Sequence, residues 1–432
     1  MFKVLVVAYY FPPLGLSGVQ RTLKFVKYMK NYNWEPTVIT TGKVAYFAHD
    51  KSLSKELADS NIRIIRVSGS NEPNSILSKF GTVKFPSEFL RNILDKLSQT
   101  FFIPDNKVSW AKLAAKKIDE ILSAEKFDAL FITCPPFSAF DVISKLKKKH
   151  DVPLFADYRD LWYKSYFAFY PTPFHKIIHK SKEYHALKAA DRILVTNRKI
   201  KEKLLHTYPF LTFDDVVIIS HGYDHEDFVK IPAQPKPQNK MVLMYSGIFM
   251  VYNSPVYLLK AFKQLTIERP DIASNIELHF VGFLRKENQK VIRKLRLQTF
   301  VKDHGYVNHD ESIAKLKSAD VLWFMVGRRR NIDAILPGKV YEYIGANKPI
   351  LACVPDGAAK MAVEESGAGY ICSPDNIDEI KNTILKVYDD YKNNRLPYPS
   401  EEVLEKFRRD NLTELLTKQF QLKLRAEGWW MF

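Results

Sequence analysis

Short apolar runs alternate with segments of helical length and period along the whole chain. KVLVVAYY (3–10) leads into a Pro/Gly loop and then VQRTLKFVKYMKNY, where Val19, Leu23, Phe25, Val26 and Met29 fall roughly on one helical face. TVITT (37–41), ALFIT (129–133), LFADY (154–158), ILVTN (193–197) and VVIIS (216–220) read as further strands. Continuous apolar runs of this kind suit strands covered on both faces, as in a parallel sheet with crossover helices. IPAQPKPQNK (231–240) is the best linker in the sequence. After it the pattern restarts with MVLMYSG (241–247), ELHFVG (277–282), DVLWFMV (320–326), PILACV (349–354) and GYICS (369–373). The expected fold class is α/β, with two successive open sheets joined near residue 235.

Two segments leave this rhythm. In FGTVKFPSEFLRNILDKLSQTFFIPD (80–105), Phe85, Phe89, Leu90, Ile93, Leu94 and Leu97 recur at helical spacing. That is either a helix packed on its own domain or an interfacial helix that meets a membrane or a lipid-borne substrate. The terminal AEGWWMF either packs back on the fold or sits at a headgroup interface.

Composition narrows the class. Over 432 residues, 46% hydrophobic and 26% charged is the balance of a globular chain, and the length suits two large domains. Cys134, Cys353 and Cys372 are too few and too scattered for a disulfide framework or a four-thiolate zinc site, so a reduced, cytosolic setting is expected. MFKVLVVAYYFPP reads as a buried first strand rather than a signal peptide. No stretch approaches the ~18 consecutive apolar residues of a membrane span, so the expectation is a soluble or peripheral protein.

The net charge of +17 is concentrated in the first half, in KLKKKH (145–150), FHKIIHKSKEYHALK (174–188) and NRKIKEK (197–203). Solvated helix faces explain it as well as a surface for anionic lipid or a diphosphate-bearing substrate. No nucleic-acid-binding module accompanies the charge, so nucleic acid is not an expected partner.

Four places could carry chemistry. In FPPLGLSGVQR, Gly15 and Gly18 precede a helix, where glycine lets backbone N–H groups approach an anion; a plain tight turn fits the spacing nearly as well. DYRDLW (157–162) follows a buried strand and is either a ligand-facing cluster or an internally neutralised ion-pair network. ISHGYDHEDF (219–228) gathers His221, Asp224, His225, Glu226 and Asp227, and a chain turn out of the first domain explains it better than a metal site. The strongest is NIDAILPGKVYEYIGANKPILA (331–352). Pro337 and Gly338 break the chain, Lys339 at a helix start suits a diphosphate, and Glu342 suits a ribose diol. A capped surface helix is the plainer reading of that stretch.

Taken in order, YYFPPLGLSGVQR, PDNKVSWAKLA, ITCPPFSAF, DYRDLW, LKAADRILVTNRKIKEKL, ISHGYDHEDF, YSGIF, HFVGF, GYVNHDES, SADVLWF and LPGKVYEYIGANKPILA resemble the family 4 glycosyltransferases of the GT-B fold, over essentially the whole chain. The resemblance implies two Rossmann-like parallel-sheet domains facing a cleft, with a last helix crossing back to the first. It places an acceptor-binding domain at 1–222, a linker at 223–240, a donor-binding domain at 241–405 and the returning helix at 406–432.

It also implies retaining, metal-independent transfer from a nucleoside-diphosphate sugar, UDP-linked by preference, with no metal ligands and no cofactor beyond that donor. The expected donor residues are Gly15, Gly18, Gly247, Tyr306, Val307, Leu336, Pro337, Gly338, Lys339 and Glu342. Lys339, Asp157 and Arg159 are the expected catalytic residues. The acceptor, a glycan or lipid-linked saccharide of surface polysaccharide assembly, is expected at Arg21, Pro136, Ser138 and Asp160. A cytoplasmic site, peripheral at an anionic inner membrane face, completes the expectation.

Two departures stand out. The family's first glutamate, eight positions before Glu342, is replaced by Ala334, with Asp333 adjacent. The Arg and Lys that many members carry after the second domain's first strand are absent from YSGIFMVYNSP, leaving Lys339, Arg285 and Arg328, Arg329 and Arg330 as available cations. A non-catalytic nucleotide-sugar-binding scaffold, or a nucleotide-sugar epimerase on the same fold, are the alternatives. A nicotinamide oxidoreductase is more distant, because the first loop lacks the right glycine spacing.

Overall fold

The apolar runs become strands of two parallel sheets. The computed structural model describes residues 1–15, 17–44, 46, 49–68, 88–249 and 253–426. Residues 80–87 of the segment singled out above, and the terminal WWMF, lie outside the described residues. The chain divides into two compact units, Met1–Ser220 with Arg409–Phe432, and His221–Arg408.

The first unit is built on β1 (Phe2–Val7), β2 (Trp34–Thr41), β3 (Arg63–Val67), β4 (Ala129–Cys134), β5 (Leu154–Tyr158), β6 (Arg192–Val195) and β7 (Val216–Ile218), in the order β3-β2-β1-β4-β5-β6-β7. Every residue of β4 and β5 is buried, as expected for strands with helices on both faces. Its helices include α1 (Ser17–Met29), α2 (Glu88–Phe101), α3 (Phe137–Ile143) and α4 (Pro173–Ala189). Val19, Leu23, Phe25, Val26 and Met29 of α1 are all buried against the sheet. α2 realises the helical spacing read in the second half of 80–105.

The second unit carries β8 (Met241–Ser246), β9 (Ile276–Val281), β10 (Val301–Asp303), β11 (Val321–Met325), β12 (Ile350–Cys353) and β13 (Gly369–Cys372), in the order β10-β9-β8-β11-β12-β13. Helix α5 (Lys339–Gly345) follows β11, and α6 (Arg409–Ala426) returns to the first unit. There it lies along α1, and Phe420 sets its ring 5.0 Å from Trp34, 5.8 Å from Phe131 and 4.5 Å from Phe155.

Residues 223–240, expected as a linker, belong to the second unit and hold a helix at His225–Lys230. The Asp224 carboxylate caps it by accepting from the Glu226 N–H, and Lys317 donates to the carbonyls of Phe228 and Ile231. Cys353 and Cys372 are paired in register on β12 and β13 with sulfurs 3.6 Å apart, and all three cysteines are buried free thiols. No helix among the described residues is long and apolar enough to cross a membrane.

In both sheets the strand order reverses once, between β1 and β4 and between β8 and β11. Loops at the carboxyl ends of the strands diverge at such a point and open a crevice for ligands.

Candidate functional site

In the second unit this point is built from glycines. β8, β9 and β10 run into Gly247, Gly282 and Gly305, whose φ values are +128°, +118° and +67°. The three turns are sewn together as an extension of the ladder: Gly247 N–H donates to the Val281 carbonyl and Gly282 N–H to the Gly305 carbonyl, each at 2.7 Å. A Cβ on Gly282 would stand 2.3 Å from the Gly247 carbonyl oxygen, so only glycine allows the approach.

Across the reversal, Pro337 and Gly338 start α5, whose first residue is Lys339. Its ammonium lies 3.8 Å from the ring centroid of Tyr245, itself stacked on Phe249 at 4.0 Å. The nitrogen occupies the space a side chain at Gly247 would need: an added Cβ would be 2.7 Å from Lys339 Nζ. Among the described residues it has no hydrogen-bond acceptor. Burial pushes the Lys339 pKa down to about 7, opposed by the nearby Glu342 carboxylate.

Tyr343, fully buried on the next turn, fixes this arrangement. Its hydroxyl accepts from the Ser246 N–H at 3.0 Å and donates to the Trp323 carbonyl at 3.1 Å, tying α5 to the ends of β8 and β11. Beside β9 and β10, Tyr306 stacks on Phe283 at 5.0 Å and stays 39% exposed, an open aromatic shelf next to Val307. Leu336 is half-buried, and a Cβ at Gly338 would meet nothing within 4 Å. Ala334 is buried, and the backbone of Asp333 lies against Gly357, where a Cβ would come 2.5 Å from the Asp333 carbonyl oxygen.

In the first unit most of the polar residues expected to meet substrate are hydrogen-bonded to other groups of the protein. Asp157 is fully buried and takes the Arg21 guanidinium at 2.8 and 3.1 Å and the Thr133 hydroxyl at 3.0 Å. Arg21 spends its remaining donors on the carbonyls of Ile219 and Ser220. Arg159 donates to the carbonyls of Cys134, Pro135 and Gly18, tying the first turn of α1 and the end of β4 to the loop after β5. Ser138 gives both its N–H and its hydroxyl to Asp105, and Pro136 is buried beside it.

Asp157 and Arg159 were expected to do chemistry and Arg21 and Ser138 to meet the acceptor; the geometry shows all four hydrogen-bonded within the protein. Their hydrogen-bonding capacity is directed inward, and they hold loops. Asp160 differs: it is only partly covered, has no hydrogen-bond partner among the described residues, and burial raises its pKa against the pull of Arg159. Gly15 is buried in the first loop, while a Cβ at Gly18 would meet nothing within 4 Å.

Sequence reasoning missed Tyr245, Tyr343, Asp105 and Glu183. The first three lie inside motifs already quoted, YSGIF, VYEYIGA and PDNK. Glu183 lies in a stretch that reads as basic surface. The structure buries it on α4, where its carboxylate accepts from Tyr158, Tyr208 and the Tyr163 N–H, and burial raises its pKa to about 7.

Two family models match the chain: glycosyltransferase family 4 over residues 48–227 and glycosyl transferases group 1 over residues 227–400. Among curated proteins, none matches. Solved structures with the same fold include a glycosyltransferase from Rickettsia africae ESF-5, at 16% identity and a TM-score of 0.65, covering 98% of each chain. Anabaena HepE in complex with UDP-glucose is 14% identical with a TM-score of 0.63, covering 99% of this chain and 100% of its own. The lipopolysaccharide outer core galactosyltransferase WaaB, in its apo form, is 14% identical with a TM-score of 0.57, covering 98% and 100%. With the two matched regions adjoining at residue 227 and running on to residue 400, the chain belongs to the family 4 glycosyltransferases of the GT-B fold.

Proposed function

We propose that this glycosyltransferase moves a sugar from a UDP-linked donor to a hydroxyl acceptor, with retention at the anomeric carbon and without a metal. The observation that carries the reading is Lys339, a cation without a hydrogen-bond acceptor among the described residues, held over Tyr245 at the reversal of the second sheet. As the bond between the anomeric carbon and the β-phosphate oxygen breaks, negative charge gathers on the leaving diphosphate. A fixed ammonium stabilises that charge without having to reorient. The acceptor oxygen bonds to the anomeric carbon and its proton passes to the departing phosphate oxygen, so no separate base is required.

Glu342 is assigned to the ribose hydroxyls, Tyr306 and Val307 to the nucleobase, and Gly15 and Gly18 to the donor's phosphates and sugar. Asp160 is assigned to the acceptor. The UDP-glucose bound to HepE supports the donor class, and the lipopolysaccharide role of WaaB supports a glycan or lipid-linked acceptor in surface polysaccharide assembly. That acceptor would bring the protein to the cytoplasmic face of an anionic membrane.

A thermal-shift screen with UDP, GDP and ADP and their sugar conjugates tests the donor. A ligand at ~100 times its dissociation constant stabilises by ~2.7 kcal/mol. UDP-sugars are expected to stabilise the wild type. Glu342→Ala should chiefly weaken that binding, and Lys339→Ala should lower transfer about 10²–10³-fold. Unchanged transfer in a folded Lys339→Ala variant rejects the lysine's role, and an inverted product anomer rejects retention. Buried Ala334 in place of the family's first glutamate favours a second reading, a scaffold that binds donor without turnover; binding with neither transfer nor hydrolysis would select it.

A further inference from the structure

The first unit carries apolar side chains where a solvated surface should not have them. On α2, Leu90, Ile93, Leu94, Leu97 and Phe101 form a single stripe, each between 41% and 75% exposed. On α4, Phe174, Ile177 and Ile178 do the same at 41% to 74%. Soluble monomers rarely expose a contiguous apolar patch beyond about 300–600 Å², and a larger one marks an interaction site.

The two stripes belong to neighbouring, mutually anchored elements. His175 of α4 hydrogen-bonds the Thr100 carbonyl of α2 at 3.1 Å, and Gln99 of α2 accepts from the Phe169 N–H just before α4 at 2.7 Å. Lys96 of α2 lies over the Phe169 ring.

Beside the α4 stripe the exposed charge is positive, while α2 carries an exposed Asp95 next to Lys96. Lys96, Lys176 and Lys180 are exposed and have no carboxylate partner among the described residues. The sole carboxylate of α4, Glu183, is buried on its opposite face. Apolar residues on one face with lysines beside them are the pattern of a helix lying in the plane of a headgroup layer. A two-fold contact with a second copy would set Lys96, Lys176 and Lys180 against the same three lysines, with Asp95 the one exposed carboxylate among the described side chains of α2 and α4 to offset them.

We propose that α2 and α4 together form a docking face for an anionic lipid bilayer, with Phe101, Phe174 and Ile177 entering the interface and the lysines meeting lipid phosphates. This deepens the membrane reading above and rests on it for its purpose: a lipid-linked acceptor presents its sugar at the headgroups.

The test is co-flotation of the full chain with vesicles of phosphatidylcholine alone or with 30% phosphatidylglycerol. Binding is expected only with the anionic lipid and should weaken in high salt, which shortens the screening length. The exposed double variants Leu94→Ser/Leu97→Ser and Phe174→Ser/Ile177→Ser should each lower the bound fraction at least tenfold, with unchanged melting temperature and UDP-sugar binding. Lys176→Glu/Lys180→Glu should do likewise. Equal flotation of variants and wild type overturns the assignment, as does a self-association that these variants abolish. Absent vesicle binding with intact UDP-sugar binding overturns the docking face alone. Vesicle binding without any nucleotide binding supports the face and sinks the donor reading.

Discussion

Gly247 and Lys339 are matched residues: the side chain missing from one leaves the space that the ammonium of the other fills. A Cβ at 247 would sit 2.7 Å from Nζ, at a backbone φ of +128°. Gly247→Ala should therefore displace the lysine and strain the turn by about 1–3 kcal/mol. Its transfer rate should fall toward that of Lys339→Ala. A Gly247→Ala enzyme with wild-type rate would show that the lysine does not need this position.

The depressed pKa of Lys339 gives donor binding a direction with pH. With the free amine titrating near 7, the cation a diphosphate prefers is present below that value. Binding a diphosphate pulls the proton back on, so affinity for UDP-glucose should be level below pH 7 and fall by up to about tenfold per unit above it. Calorimetry at pH 8 in buffers of differing ionisation enthalpy should register proton uptake. Lys339→Met should remove both effects; a pH-independent wild type would place the lysine outside the diphosphate site.

Tyr343 lends itself to a stability measurement. Its hydroxyl joins the Ser246 N–H to the Trp323 carbonyl within a buried site. Tyr343→Phe leaves that donor and acceptor unpaired and should cost about 1–3 kcal/mol. Because the Ser246–Gly247 turn loses its tether, UDP-sugar affinity should fall as well. Denaturant unfolding that shows no loss would mean that water takes the hydroxyl's place.

Glu183 should make the first unit more stable in mild acid than above neutrality. Its carboxyl titrates at about 7 when folded against a reference of 4.5, so the folded chain holds the extra proton between those values. That stabilisation is complete below pH 4.5 and is lost as the pH rises through 7, with a magnitude of about 3 kcal/mol. Glu183→Gln should flatten this dependence, and a wild-type-minus-variant difference that is constant from pH 5 to 8 would reject it. His179 on the same helix, pushed down to about 4 by burial, works in the other direction, losing stability as the pH falls from 6.5.

Much of the architecture was written in local pattern. β4, β5, β8 and β11 are long apolar runs because helices cover both of their faces, and such runs stand out in a sequence. β3 and β10 did not stand out, since each pairs with one neighbour at a sheet edge and carries exposed charge, as in Arg63 and Lys302. The helix at His225–Lys230 was hidden by the prolines that follow it. Lys339 stood out as a candidate from Pro337 and Gly338 beside it. The fate of Asp157 was not: its partner Arg21 is 136 residues away, and nothing near either residue announces the pairing. Likewise, Ser138 looks available until Asp105, 33 residues earlier, is placed beneath it. Spacing within a motif shows which groups are present, whereas long-range packing decides which remain free to meet a ligand.

The return of α6 has a consequence for how the protein is made. Trp34, Phe131 and Phe155 all rest on Phe420, which leaves the ribosome only after the entire second unit. Through that interval these rings have Phe25 of α1 and Phe2 against them but lack the cover of α6, a state open to aggregation or to a chaperone. The half of the protein synthesised first is the half completed last.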